Sequence, residues 1–207
     1  MDTLKKMISK ISDTVCVSAY FFICCLPVVT AGAAMSGLYY AVNKSVYNNR
    51  GYVSKEFFRG FKEGFKNATL GWLLELFALA FFAMDFYLVS LWQVIGIRIA
   101  FMVFFVLLML AIISWGIYFR AYVARFDDTW KTCLLNSGRL ALAGFYKTIC
   151  LVLLFVACMI ACIYFLPAVL FLPGIYGAVA VKVIEKSFRK IMSAEDIALE
   201  DERNRVW

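Results

Sequence analysis

The chain has 207 residues, 64% of them hydrophobic and none of them histidine, with 21 Lys and Arg against 14 Asp and Glu for a net charge of +7. Soluble domains are roughly half apolar, and a chain this short cannot hide several uncharged runs of about 18 residues or more from water, so a soluble globular protein is excluded. The basic excess then points to cytoplasmic loops and anionic headgroups rather than to nucleic acid, for which no motif is present.

In chain order, Met1–Asp13 carries Lys5, Lys6 and Lys10 and leads into an uncharged run from Thr14 to Asn43. Pro27, Thr30 and Gly32 break that run and mark the tip of a membrane hairpin with segments at 14–29 and 31–47. The basic start, the apolar run and Ala31-Gly32-Ala33 imitate a cleavable signal. Since the rest of the chain is itself membrane-spanning, the segment is read as an uncleaved anchor. Ala33, Ser36 and Gly37 give the second segment a small-residue face suited to close helix packing. The pair is short for two spans and long for one, leaving a tight hairpin, a re-entrant pair and a single kinked helix all open.

Residues 52–66 are predicted to form an amphipathic connector, with Phe57, Phe58, Phe61 and Phe65 on one side and Lys55, Arg59, Lys62 and Lys66 mostly around the other. It lies either along the inner headgroups or docked on the protein's own spans. The next segment, 68–93, contains Glu75 and Asp85. A charge at membrane depth costs about 2.5–3.5 kcal/mol, so each needs a partner, protonation or water. They sit about 15 Å apart along a helix, too far for a catalytic carboxylate pair, and Asp85 is expected to pair with Arg98.

Segment 99–119 is followed by Arg120 and Arg125, and 126–147 is a second amphipathic connector. A shift of eighty residues aligns Arg59 with Arg139 and Gly64-Phe65 with Gly144-Phe145, suggesting a duplicated unit. Segments 148–166 and 172–190 enclose Pro167, Pro173 and Gly174 as a second hairpin turn. The expected fold is therefore all-α: one polytopic membrane domain over 1–207, with five to six segments arranged as three hairpins. Basic residues crowd Met1–Asp13, Lys44–Lys66, Arg120–Lys147 and Lys182–Arg205, which places these regions and both termini in the cytoplasm.

The stretches CCLPVVTAGAAMSGLYYAV, FFRGFKEGFKNATLGWLL, MDFY and RAYVARF resemble the YesL-like family of bacterial membrane proteins, defined by a domain of unknown function. The resemblance runs from about Met7 to about Arg189 and rests most on LPVVTAG and the tyrosine-bearing helix after it. It implies a Gram-positive type cytoplasmic-membrane protein, commonly encoded beside carbohydrate ABC-transporter permeases and two-component sensors. The motif positions it carries over are Pro27, Thr30, Gly32, Tyr39, Phe57, Phe61, Phe65 and Asp85, without assigned roles.

No nucleophile with a base, no phosphate loop and no metal-ligand cluster is legible, and seven cysteines without a CxxC indicate neither a disulfide framework nor a zinc site. The expectation is a noncatalytic protein without cofactor or metal. Its partners would be the bilayer and an ABC-transporter permease or sensor kinase. The alternative is a small transporter or channel in which Glu75 or Asp85 carries a coupling proton.

Overall fold

Pro27 has no N–H to continue a helix, and the first helix, α1 (Asp2–Cys25), ends just before it. A 3₁₀ turn, Val28–Thr30, follows, and the Thr30 hydroxyl donates to the carbonyls of Cys24 (2.6 Å) and Pro27 (2.9 Å), satisfying acceptors that the helix end leaves open. The chain then reverses into α2 (Ala31–Ala41), which runs on as a π-helical stretch, Val42–Tyr47. α1 packs against that stretch as well as against α2, which a single kinked helix cannot do, so the first pair of segments is a hairpin. Gly51, at φ 70°, supplies the left-handed turn residue before the next helix.

Among the described residues five further helices follow: α3 (Val53–Ser90), α4 (Ile95–Arg125), α5 (Trp130–Ala143), α6 (Phe145–Tyr164) and α7 (Leu172–Phe188). The computed structural model describes residues 2–48, 51–126, 128–164 and 170–189, with 192 and 197, and the side chains of these except 2–9, 159 and 163. Among the described residues all regular structure is helical. Pro167, the expected turn residue of the last hairpin, lies outside them. Pro173 and Gly174 fall in the first turn of α7, where proline is tolerated because its missing N–H would have no helical acceptor.

Val17, Leu38, Phe57, Tyr118, Leu140, Leu151 and Ile184, one from each helix, belong to a single buried core. Its centre is α2, enclosed by α1, α3, α4 and α7 and buried at Ala31, Gly32, Ala33, Ala34, Ser36, Gly37, Leu38, Tyr39 and Ala41. α2 lies antiparallel on α3, with Gly32 against Ala68 and Trp72, Ser36 against Gly64, and Lys44 reaching Glu56 at 3.3 Å. Small residues let the backbones approach closely: Ala68 and Gly64 on α3 face Gly32 and Ser36 on α2, Gly60 receives the Tyr40 side chain, and Gly37 lies on the backbone at Phe57 and Phe61.

Two expectations change here. Residues 52–66 are not a separate connector: α3 is continuous for 38 residues, about 57 Å, nearly twice the roughly 30 Å of a hydrocarbon core. A helix collinear with a span cannot also lie flat among headgroups, and Phe57 is instead fully buried, its ring 5.9 Å from that of Tyr20. The second connector is a distinct helix, α5, docked on α4 through Trp130 against Phe119 (ring centroids 5.2 Å apart). The suggested duplication has no structural counterpart at its aligned glycines: the chain breaks at Gly144, between α5 and α6, while Gly64 sits inside unbroken α3.

Among the described residues three helices are long and apolar enough to cross a membrane: Val53–Ser90, Ile95–Arg125 and Phe145–Cys162. These contain or overlap the expected segments 68–93, 99–119 and 148–166. The α3–α4 hairpin beyond Glu75 is almost wholly uncovered, with Phe77, Phe81, Met84 and Leu88 forming an exposed stripe on α3.

Candidate functional site

Glu75 follows the small-residue stripe of α3, one turn beyond Gly71, and is therefore carried into the α3–α4 interface rather than toward lipid. α4 meets it with Gly116 and, four residues on, Arg120. A Cβ at Gly116 would fall on the Glu75 carboxylate, so the absence of a side chain there makes room for the acid. Arg120 Nη1 donates to Glu75 Oε2 in a pair whose side chains are 8% and 3% exposed. Buried to this degree, each charge depends on the other, because leaving either ion buried without its partner costs about 3–5 kcal/mol, a large share of the stability of a fold.

Trp72 closes the site on a third side. Its ring lies 5.3 Å from the Arg120 guanidinium, its indole N–H donates to the Val28 carbonyl at 2.9 Å, and its Cβ packs on Gly32. One side chain thus ties the tip of the α1–α2 hairpin to the ion pair. Trp72→Phe keeps an aromatic face under the guanidinium but removes the N–H, and the expected loss is about 0.5–1.5 kcal/mol, readable as a lower unfolding midpoint in detergent.

A second polar network sits where α2, α4 and α7 converge. Glu185 Oε1 accepts from Tyr39 Oη (2.8 Å) and Asn43 Nδ2 (2.9 Å), while its other oxygen pairs with Arg125. Arg125 also donates to Met192 Sδ at 3.3 Å and lies near the rings of Phe126 and Phe188. Asn43 is presented by the π-helical stretch, an irregularity that alters the register of a helix face and is frequent at functional sites. Tyr122 Oη donates to Asp128 Oδ2 (2.6 Å) and accepts from Asn136 Nδ2 (2.9 Å), fixing α5 to the same end of α4.

The sequence-derived candidates separate accordingly. Glu75 is paired, but with Arg120, which reads in the sequence as a cytoplasmic flank. The expected Asp85–Arg98 pair is not formed: Asp85 is half-buried without an ion-pair partner among the described residues, and Arg98 donates to the Trp92 carbonyl at 3.4 Å. Pro27, Thr30 and Gly32 build the first turn. Gly174 donates its N–H to Ser18 Oγ at 2.9 Å, joining α7 to α1. Ala33, Ser36 and Gly37 are helix-packing residues, but the face they form is occupied by the chain's own α3. In the sequence Arg120 and Arg125 read only as flanks of a span, and neither Gly116 nor Glu185 stands out as a site residue. The available signal was Gly60, Gly64 and Ala68 at four-residue spacing leading to Glu75, which marks the acid as facing a close helix neighbour.

Residues 14–86 match the model of a family described as a protein of unknown function, DUF624. The matched stretch contains the first hairpin, Trp72, Glu75 and Asp85, and ends before Arg120. No curated protein and no solved structure matches the chain.

Proposed function

We infer that this is a noncatalytic accessory subunit of a bacterial cytoplasmic membrane, serving a carbohydrate uptake or sensing system and contacting a permease or sensor kinase. The observation that carries the reading is the internal neutralisation of Glu75 by Arg120: the most deeply buried acid among the described residues is engaged by the protein's own scaffold, leaving a rigid framework rather than an open polar path. The interaction surface moves from Ala33, Ser36 and Gly37 to the uncovered stripe Phe77, Phe81, Met84 and Leu88, which in lipid packs against acyl chains or a partner helix. The sugar-system context comes from the resemblance of the sequence motifs. In this reading the chain crosses the membrane as three hairpins with both termini inside, following the distribution of basic residues.

Affinity purification from native membranes after mild crosslinking, through a tag following Trp207, tests it by mass spectrometry. A permease or sensor kinase in near-equal amount is the expected result; recovery of the chain alone would overturn it. The second reading, a proton-coupled transporter, draws on Asp85, which has no ion-pair partner among the described residues. In reconstituted vesicles, Asp85→Asn is expected to leave any flux unchanged; its abolition with the fold intact would favour the transporter.

A further inference from the structure

Between the π-helical stretch and the last two turns of α7 lies an open groove of about 270 Å³, lined by Asn43, Tyr47, Asn48, Lys182, Lys186 and Arg189 beside Glu185. The three cations are spaced four and three residues apart, so they share one face of α7, and all are exposed. Lys182 and Lys186 have no ion-pair partner among the described residues. Glu185, the acid on the wall, does not offset them, because its carboxylate is engaged by Arg125, Tyr39 and Asn43. Counting that pair as neutral leaves the positive charges of Lys182 and Lys186 without a counter-charge among the described residues.

We propose that this groove binds a phosphate-bearing anion, presented as a phospholipid headgroup or as a soluble phosphate ester. The two lysine ammonium groups supply charge-assisted donors, and the side-chain amides at Asn43 and Asn48 set polar walls around them. The negative end of the α7 dipole amounts to about half a charge and is outweighed by the two lysines. The volume lies just below the roughly 300–1,000 Å³ of pockets that enclose whole small molecules, which suits a headgroup rather than a nucleotide. Its position also fits a membrane surface: α7 changes here from the exposed apolar Ile175 and Val179 to the basic residues, and Tyr47, 48% exposed, stands at the rim. The site does not depend on the accessory reading, since it requires only that this end of α7 meet a membrane surface or the aqueous phase beside it.

The test titrates the purified full chain in neutral detergent with dioctanoyl phosphatidylglycerol, dioctanoyl phosphatidylcholine and glycerol 1-phosphate, followed by calorimetry. Saturable binding of the phosphatidylglycerol, not of the phosphatidylcholine, is expected, weakened about 30-fold in Lys182→Gln/Lys186→Gln. Equal binding of glycerol 1-phosphate assigns the site to soluble esters, and its absence assigns it to lipid; either supports the phosphate site. Lys62→Gln/Lys66→Gln removes the same charge from exposed positions on α3. If that variant loses as much affinity, or if no phosphate compound binds the native chain, the proposal fails. Both variants alter exposed side chains and should show native unfolding midpoints, which the same samples report.

Discussion

Replacing Glu75 with Gln is expected to destabilise the folded chain by about 3–5 kcal/mol, the largest effect of any single isosteric change in this molecule. The amide fills the space of the carboxylate but leaves Arg120, 8% exposed, without its counter-charge in an interface that excludes water. Thermal unfolding in detergent, with the monodisperse fraction on size exclusion, reads the effect. Glu75→Gln/Arg120→Met is expected to recover most of the loss, since replacing both members of a buried pair removes the desolvation penalty along with the attraction. The double variant also separates two roles. A structural pair predicts recovery of both fold and partner binding, whereas a proton carrier at Glu75 predicts a folded chain in which flux is lost. Failure of the double variant to recover stability would mean that Gly116 and Trp72 hold the acid for a reason other than its pairing with Arg120.

The second large effect is expected at the α2–α3 contact. A Cβ at Gly32 would lie 2.5 Å from Trp72 Cβ and 2.6 Å from the Ala68 carbonyl oxygen, and one at Gly37 would lie 3.0 Å from the Phe57 carbonyl oxygen. Backbone atoms of a long helix cannot yield as a flexible side chain can, so the helices must move apart. Overpacking of a core costs about 1–3 kcal/mol per site, and more where backbone is displaced. Ser36→Leu/Gly37→Leu is therefore expected to abolish the folded species on fluorescence-detected size exclusion. A folded double variant that merely loses a binding partner would refute the internal assignment of this face. By contrast, Phe81→Ala/Leu88→Ala changes only exposed side chains of α3 and should leave the fold unchanged while reducing co-purification of a partner. These two outcomes distinguish the contact that builds the molecule from the surface that it offers.

The proline and glycine chemistry of the first hairpin was legible because a turn requires it: Pro27 stops α1, Thr30 closes the turn, and Gly32 admits Trp72. The small-residue face of α2 was legible as well, since only close packing explains so many residues without bulk on one side of an apolar helix. Its occupant was not. Any helix with a matching groove could fill it, and the matching set Gly60, Gly64 and Ala68 lies in a region whose phenylalanines and lysines give a stronger amphipathic signal. That signal is real, but it describes the first half of a single long helix, because nothing between Phe65 and Leu70 interrupts the backbone hydrogen bonds.

Composition and hydropathy by themselves determined that the chain is helical and apolar enough for a membrane, since runs of uncharged residues have no other stable environment, and they located the two acids that need explanation. Only the tertiary structure decided which acid is paired and with what. Glu75 and Arg120 are 45 residues apart, and their meeting depends on the register in which α3 and α4 pack, which the absence of a side chain at Gly116 permits and which no local pattern encodes. The same holds for Glu185, joined to Tyr39 and Asn43 across 146 and 142 residues. Hydrophobic periodicity specifies which face of a helix is turned inward; the partner that face meets is set by the packing of all the helices at once.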